Sequence, residues 1–175
     1  MNLLLRILKY LVGLVVVLLA AGFLLPANYS AQRSATINAP ADKIWPLVSS
    51  AKAWAKWGVW YARDPAMQVT YTGPDNAVGA KWSWKSKSEG NGAIEFTKLD
   101  PNKAVAYSFQ MEGMSASPGD MQLTPEGNAT KVTWTMRGDA GLNPLYRWFG
   151  YFMDRLVGPD FEAGLKNLKK LAEAA

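Results

Sequence analysis

The chain has 175 residues, enough for one domain and a flanking segment. It contains no cysteine and no histidine, which excludes disulfides, thiolate and histidine metal sites, cysteine nucleophiles and Ser-His-Asp triads. Without Arg6 and Lys9 its 19 basic residues become 17, against 14 acidic ones, too weak and dispersed a charge for nucleic-acid binding.

The first segment is a membrane signal. Residues 10–25 (YLVGLVVVLLAAGFLL) carry no charge. With Ile7, Leu8 and a snorkelling Lys9 the run approaches the roughly 20 residues that a bilayer core needs. It is apolar all round, which is not the pattern of a core helix. A cleaved signal peptide is the competing reading. Its apolar region is usually about 7–15 residues long, and the flank here offers only Ala20-Ala21-Gly22 as a cleavage site. Arg6 and Lys9 precede the run, and the next charge is Arg33. The positive-inside rule then gives a single-pass anchor with a cytoplasmic N-terminus and an extracytoplasmic, periplasmic domain. Residues 1–27 are assigned to the anchor and a short linker, with residues 26–32 polar, and 28–175 to the domain.

The domain opens with a strand at residues 33–38, in which Ala35 and Ile37 alternate. Ala39-Pro40 then starts a short helix with Ile44, Trp45 and Val48 on one face. Pro46 lies inside it and should kink it. Residues 51–57 read as a second short helix, with Trp54 and Trp57 one turn apart, and Trp60 follows Gly58.

From Met67 the period becomes two. Met67, Val69 and Tyr71 alternate with polar residues, and Gly73-Pro74-Asp75-Asn76 makes a turn. Ala80, Trp82 and Trp84 alternate with Lys81, Ser83 and Lys85, and residues 89–92 signal a hairpin. Further strands are expected at 93–99, 105–111, 119–123 and 130–137, for about seven in all.

The chain ends in a helical pattern. Leu145, Phe149, Phe152 and Leu156 recur at helical spacing, and so do Phe161, Leu165, Leu168 and Ala172. Pro144 suits a first helical position, and Gly158-Pro159 should break the run and open a second helix. So wide an aromatic stripe needs a sheet to cover it.

Ile37-x-Ala39-Pro40-x-x-x-Ile44-Trp45-x-x-Val48 followed by Trp54-x-x-Trp57 resembles the opening of the START-like superfamily, which includes the polyketide cyclase/dehydrase and lipid-transport group. Gly79-Ala80-x-Trp82-x-Trp84, Thr130-x-Val132-Thr133-Trp134 and Gly158-x-Asp160-Phe161-Glu162-x-Gly164-Leu165-x-x-Leu168 are similar to a membrane-anchored bacterial branch of it. The resemblance implies an α+β helix-grip fold. In that fold a curved antiparallel sheet wraps a long C-terminal helix, and two short helices follow the first strand. The superfamily spans binders and enzymes and shares no catalytic motif, so no catalytic residue carries over.

Such a fold leaves an apolar cavity between sheet and helix, where ligands bind by default. The candidate lining comprises Trp82, Trp84, Tyr107, Phe109, Met111, Trp134 and Met136 from strands. Phe149, Phe152 and Met153 come from the helix, and Trp57 and Trp60 from the loops. Such side chains also serve simply to fill a core. Glu95, mid-strand between Ile94 and Phe96, is a general acid or base if it faces the cavity, and an ordinary surface charge if it does not. Glu112 is a second isolated carboxylate. Arg137 near Asp139 suits an anionic group or a surface pair. Lys81, Lys85 and Lys87, with Lys98 near them, suit lipid headgroups or a soluble outer face. Asp154, Asp160 and Glu162 lack hard-cation loop spacing, so neither a metal nor a cofactor is implied. These readings converge on a membrane-anchored binder of a hydrophobic small molecule or lipid. The alternatives are a cyclase-like or hydrolase-like enzyme using a cavity carboxylate, and a protein-interaction module with a filled core. Cavity volume separates the interaction module from the other two, since below about 300 Å³ a drug-sized ligand does not fit.

Overall fold

A computed structural model of the chain describes residues 3–174. Helix α1 runs from Leu3–Leu24 and strand β1 from Asn28–Ile37, followed by α2 at Ala41–Val48. A 3-10 turn at Ala53–Lys56 and a five-residue helix α3 at Val59–Arg63 come next. Six strands follow: β2 Gln68–Thr72, β3 Lys81–Lys85, β4 Gly92–Asp100, β5 Ala104–Met111, β6 Ser117–Glu126 and β7 Ala129–Asp139. Helix α4, Pro144–Glu173, ends the chain.

The seven strands form one sheet in the order β1-β7-β6-β5-β4-β3-β2, all antiparallel. Between β4 and β5 the register slips by one residue, between Phe96 and Lys98. Such a bulge bends its strand and strengthens the local twist, which helps the sheet curve. The inner face carries Trp82, Ile94, Phe96, Val105, Tyr107, Met121, Leu123, Val132, Trp134 and Met136, all buried. Against it lies the C-terminal half of α4, through buried Phe161, Leu165, Leu168 and Ala172. Trp134 stacks on Phe161 with ring centroids 4.1 Å apart and planes 7° apart. Gly164, one turn on, makes room for that indole: a Cβ there would lie 2.9 Å from the Trp134 ring.

Three expectations need correction. Strand β1 begins at Asn28, so most of the supposed linker pairs with β7, from Asn28 opposite Asp139 to Gln32 opposite Thr135. In this edge segment Tyr29 and Ala31 face inward, Ala31 fully buried, and alternate with exposed Asn28, Ser30 and Gln32. Pro159 does not open a second helix, because α4 is continuous through it. Proline removes one helical hydrogen bond, but Arg33 of β1 clamps the helix on both sides of it. Its guanidinium donates to Asp154 Oδ1 at 2.6 Å and Oδ2 at 3.1 Å, and to Glu162 Oε1 at 2.8 Å. Pro46 lies inside α2, as its position in the sequence implied. The carbonyls of Leu47 and Val48 at the end of that helix accept from the indoles of Trp57 (2.9 Å) and Trp54 (2.8 Å), filling positions that a helix end leaves open. Finally, the first apolar stripe of α4 is not gripped. Leu145 and Leu156 are exposed, and Phe149 and Phe152 sit at 38% and 39% exposure.

That first half of α4 meets α1 instead. Asn143 caps it, its side chain accepting from the backbone N–H of Leu145 at 3.0 Å. Trp148 donates its indole N–H to the carbonyl of Leu18 at 2.8 Å. Arg147 donates to the carbonyls of Phe23 and Leu25 at 2.8 and 3.1 Å. Gly22, the one buried residue of α1 among the described residues, lets the helices touch: a Cβ there would lie 2.7 Å from the Pro144 carbonyl oxygen.

Candidate functional site

Between the inner face of the sheet and α4 lies a cavity of about 240 Å³. Its sheet wall is Trp82, Trp84, Tyr107, Phe109, Met111, Trp134 and Met136, as the alternation of those strands requires. Phe149 and Met153 close it from α4, and Trp60 from α3. These ten candidates therefore share one wall system. The two remaining ones stand elsewhere. Trp57 is buried in the core, its indole spent on the end of α2. Phe152 points away from the cavity and stacks near Trp148, with centroids 6.3 Å apart.

Glu95 is off the cavity. It pairs across the outer face with Lys81, Nζ to Oε2 at 3.5 Å, and nearly half of its side chain is exposed. Ile94 and Phe96 take the inner face on either side of it, so the pleat sends Glu95 outward. Glu112 accepts from the Asn91 side chain at 2.7 Å. It borders a wider, open and polar depression of about 400 Å³ on the other side of β3, β4 and β5. That depression lacks the apolar enclosure of a small-molecule site. Arg137 pairs with Asp120 on the neighbouring strand rather than with Asp139.

The sequence reading missed the polar end of the cavity. Asp160 of α4 and Glu89 of the β3–β4 loop both line it. Asp160 Oδ2 accepts from the Trp60 indole at 3.0 Å. Arg63 of α3 pairs with Asp160, and its other nitrogen lies 3.7 Å from Glu89. The hydrogen bond to Asp160 raises the Arg63 guanidinium further above its ordinary range. Three elements remote in sequence supply this cluster, so no local spacing announces it. Trp54, Tyr61, Tyr29, Met67 and Met114 complete the lining.

Two phenols line the cavity as neutral groups. Burial pushes the Tyr107 hydroxyl far above its ordinary range, with the Trp134 indole partly opposing the shift. Burial does the same to Tyr61, reinforced by Tyr71. The Trp134 indole donates to Tyr107 Oη at 2.7 Å. An indole only donates, so this bond uses a lone pair and leaves the Tyr107 hydroxyl proton to another acceptor. Gly119 lies under the phenol, where any Cβ would collide with the ring. The site is thus an apolar, aromatic-walled chamber with buried hydroxyls and a carboxylate–guanidinium cluster at one edge. It holds apolar groups by burial and orients a polar one by hydrogen bonding.

Comparison with known proteins agrees with this architecture. The profile of the polyketide cyclase / dehydrase and lipid transport family matches residues 29–173, and the chain belongs to that family. No curated protein matches the chain. Among solved structures, protein MLL2253 from Mesorhizobium loti aligns with a TM-score of 0.62 at 14% identity, over 83% of this chain and 98% of its own. The Zhui aromatase/cyclase from Streptomyces sp. R1128 gives 0.60 at 16%, over 83% and 94%. Truncated norcoclaurine synthase from Thalictrum flavum gives 0.61 at 14%, over 82% and 92%. At such identities the likeness is one of fold: all share the sheet wrapped around a C-terminal helix.

Proposed function

We propose that this member of the polyketide cyclase / dehydrase and lipid transport family binds a small hydrophobic molecule, or one apolar chain of a lipid, in the cavity between sheet and α4, while α1 anchors it to a membrane. The apolar wall with a single polar edge carries the reading. The size of the cavity limits the ligand. At about 240 Å³ it falls below the roughly 300–1,000 Å³ of drug-sized sites. At ~30 Å³ per water-sized group it takes roughly eight such groups. Burying eight methylenes at ~0.8 kcal/mol each contributes about 6 kcal/mol before association costs. With no association cost at all that corresponds to tens of micromolar, so the affinity is weaker than this. An enclosed polycycle does not fit, whereas a chain end or a single small ring does. So weak a site suits a ligand concentrated in a bilayer beside it.

The topology follows from charge. Helix α1 is long and apolar enough to cross a membrane. With Arg6 and Lys9 before its apolar run, the N-terminus lies in the cytoplasm and the binding domain, residues 28–175, lies outside it. A reporter fused after Ala175 should be active only outside the cytoplasm; activity inside reverses the orientation, and a mature N-terminus near Gly22 identifies a cleaved signal instead.

The binding test uses the full chain in lipid nanodiscs, with native mass spectrometry of bound species. Wild type should retain a small apolar molecule or lipid, and Met111→Trp, which fills the chamber edge, should release it. An empty, folded wild type under lipid excess would leave only a filled core. A cyclase-type enzyme is the second reading, supported by Asp160 and Glu89 at the cavity edge; Glu95 has no part in it. Turnover of a bound aromatic precursor, lost in Asp160→Asn, would replace the binder reading.

A further inference from the structure

We propose that the N-terminal half of α4 is itself embedded in the membrane beside the end of α1, so that the cavity mouth at Phe149 opens into lipid rather than water. This rests on α1 being a membrane span. Helix α1 has 22 residues, about 33 Å at 1.5 Å per residue, against a hydrocarbon core of about 30 Å. It has almost no length to spare, so its last two turns must lie within the bilayer if it is to cross.

Those turns are the ones that hold α4. The Trp148 indole bonds to Leu18, six residues before the end of α1 at Leu24, which is about 9 Å along the axis. Interfacial helices bury their apolar faces by roughly 5–10 Å, so α4 is fixed at the right depth by a contact rather than by a free choice of tilt. Of the charges in this half of α4, Arg147 is spent on the Phe23, Leu25 and Gly141 carbonyls, Asp154 is held by Arg33, and exposed Arg155, beside Leu156, has a side chain long enough to snorkel to the interface. On the side left uncovered stand Leu145 (62% exposed), Phe152 and Leu156 (57% exposed), with Tyr151 beside them. That is an apolar, aromatic patch continuous with the span, of the kind found at membrane interfaces. Phe149 belongs to both surfaces: it lines the cavity and is 38% exposed. A ligand therefore passes from the acyl region past Phe149 and Met153 without crossing water.

The absence of cysteine from the sequence makes the test direct. Single nitroxide labels are placed in the full chain, in liposomes, at Leu145→Cys, Phe149→Cys, Phe152→Cys and Leu156→Cys. Leu14→Cys reports on α1, and Lys131→Cys on the exposed outer sheet. Collision with oxygen against a water-soluble nickel chelate reads depth. The four α4 labels should match Leu14→Cys, rich in oxygen and poor in nickel, with Lys131→Cys the reverse. If Leu14→Cys is in lipid while the α4 labels resemble Lys131→Cys, the anchor stands and the embedded segment is wrong. If Leu14→Cys is itself in water, the anchor fails and this inference fails with it. Low collision with both reagents and spin–spin broadening at the α4 sites would make the face a contact between copies, which also overturns the proposal.

Discussion

The two halves of α4 carry the same apolar spacing and meet different surroundings. From Phe161 to Ala172 the stripe is buried against the sheet, with Trp134 stacked on Phe161 and Gly164 letting it approach. From Leu145 to Leu156 the stripe stays largely open and the helix is tied to α1 through Trp148 and Arg147. Helical period shows that a face is apolar; it does not show what covers it. Here one helix divides its length between a protein core and the edge of the cavity.

The sharpest way to break this contrast is truncation on each side. Phe161→Ala should cost about 3–5 kcal/mol and Leu165→Ala about 2–5, as fully buried large-to-small changes do. Phe152→Ala should cost well under 1 kcal/mol in denaturant titration of the full chain in mild detergent, where no tight packing is lost. Equal losses on both sides would erase the distinction.

Pro159 marks the junction. Its ring removes one hydrogen bond inside α4, a defect of up to ~3 kcal/mol in an unsupported helix. Pro159→Ala should therefore raise stability by about 1–3 kcal/mol, measured by the same titration. A loss instead would show that the proline sets the angle between the halves. Gly164→Ala tests the gripped half more finely. Alanine adds roughly 1 kcal/mol of helix propensity, but its Cβ would press on the Trp134 ring at 2.9 Å, and overpacking costs about 1–3 kcal/mol. A net loss near 1 kcal/mol is expected; a gain would mean that the indole shifts freely and the stack on Phe161 is loose.

These features differ in how far the sequence revealed them. The inner strands were legible because one face of each is buried, so Ala80 and Trp82, or Val132 and Trp134, alternate with more exposed neighbours. The first residues of β1 were not, because only Tyr29 and the small Ala31 mark its inward face among polar neighbours. The continuity of α4 was hidden because its support, Arg33, lies in β1, far away in sequence. The seven sheet residues of the chamber wall followed from alternation and Phe149 from helical period, while Met153 and Trp60 came from their places in the helix and the loop. Trp57 is not among them, because it packs wholly inside the core against Trp54 and Trp134, and Phe152 is not, because period alone does not tell which flank of a stripe faces the cavity. The Arg63–Asp160–Glu89 edge was invisible for the same reason as the Arg33 clamp: tertiary pairing of remote charges leaves no local pattern.

The smallest expected effect concerns that clamp. Arg33 holds the Asp154 carboxyl below its usual range chiefly by hydrogen bonding, against an opposing desolvation that is larger than the added pull of the Arg33 charge. A depressed folded-state value means that folding favours the ionised carboxylate. The contribution is then fully present above the unfolded value, about pH 4, and disappears as pH falls through the lower folded value. Half of the Asp154 side chain is exposed, so solvent screening confines the pair to about 1 kcal/mol or less. Wild type should exceed Asp154→Asn in unfolding midpoint at pH 7, and the gap should close toward pH 3 and shrink in high salt. Arg33→Lys should lose most of it too, because an ammonium cannot reach both Asp154 oxygens and Glu162 in the same fork. A gap that persists unchanged at pH 3 would mean that Asp154 acts through shape rather than charge, and the continuity of α4 across Pro159 would then rest on the packing of Gly158 against Arg33 alone.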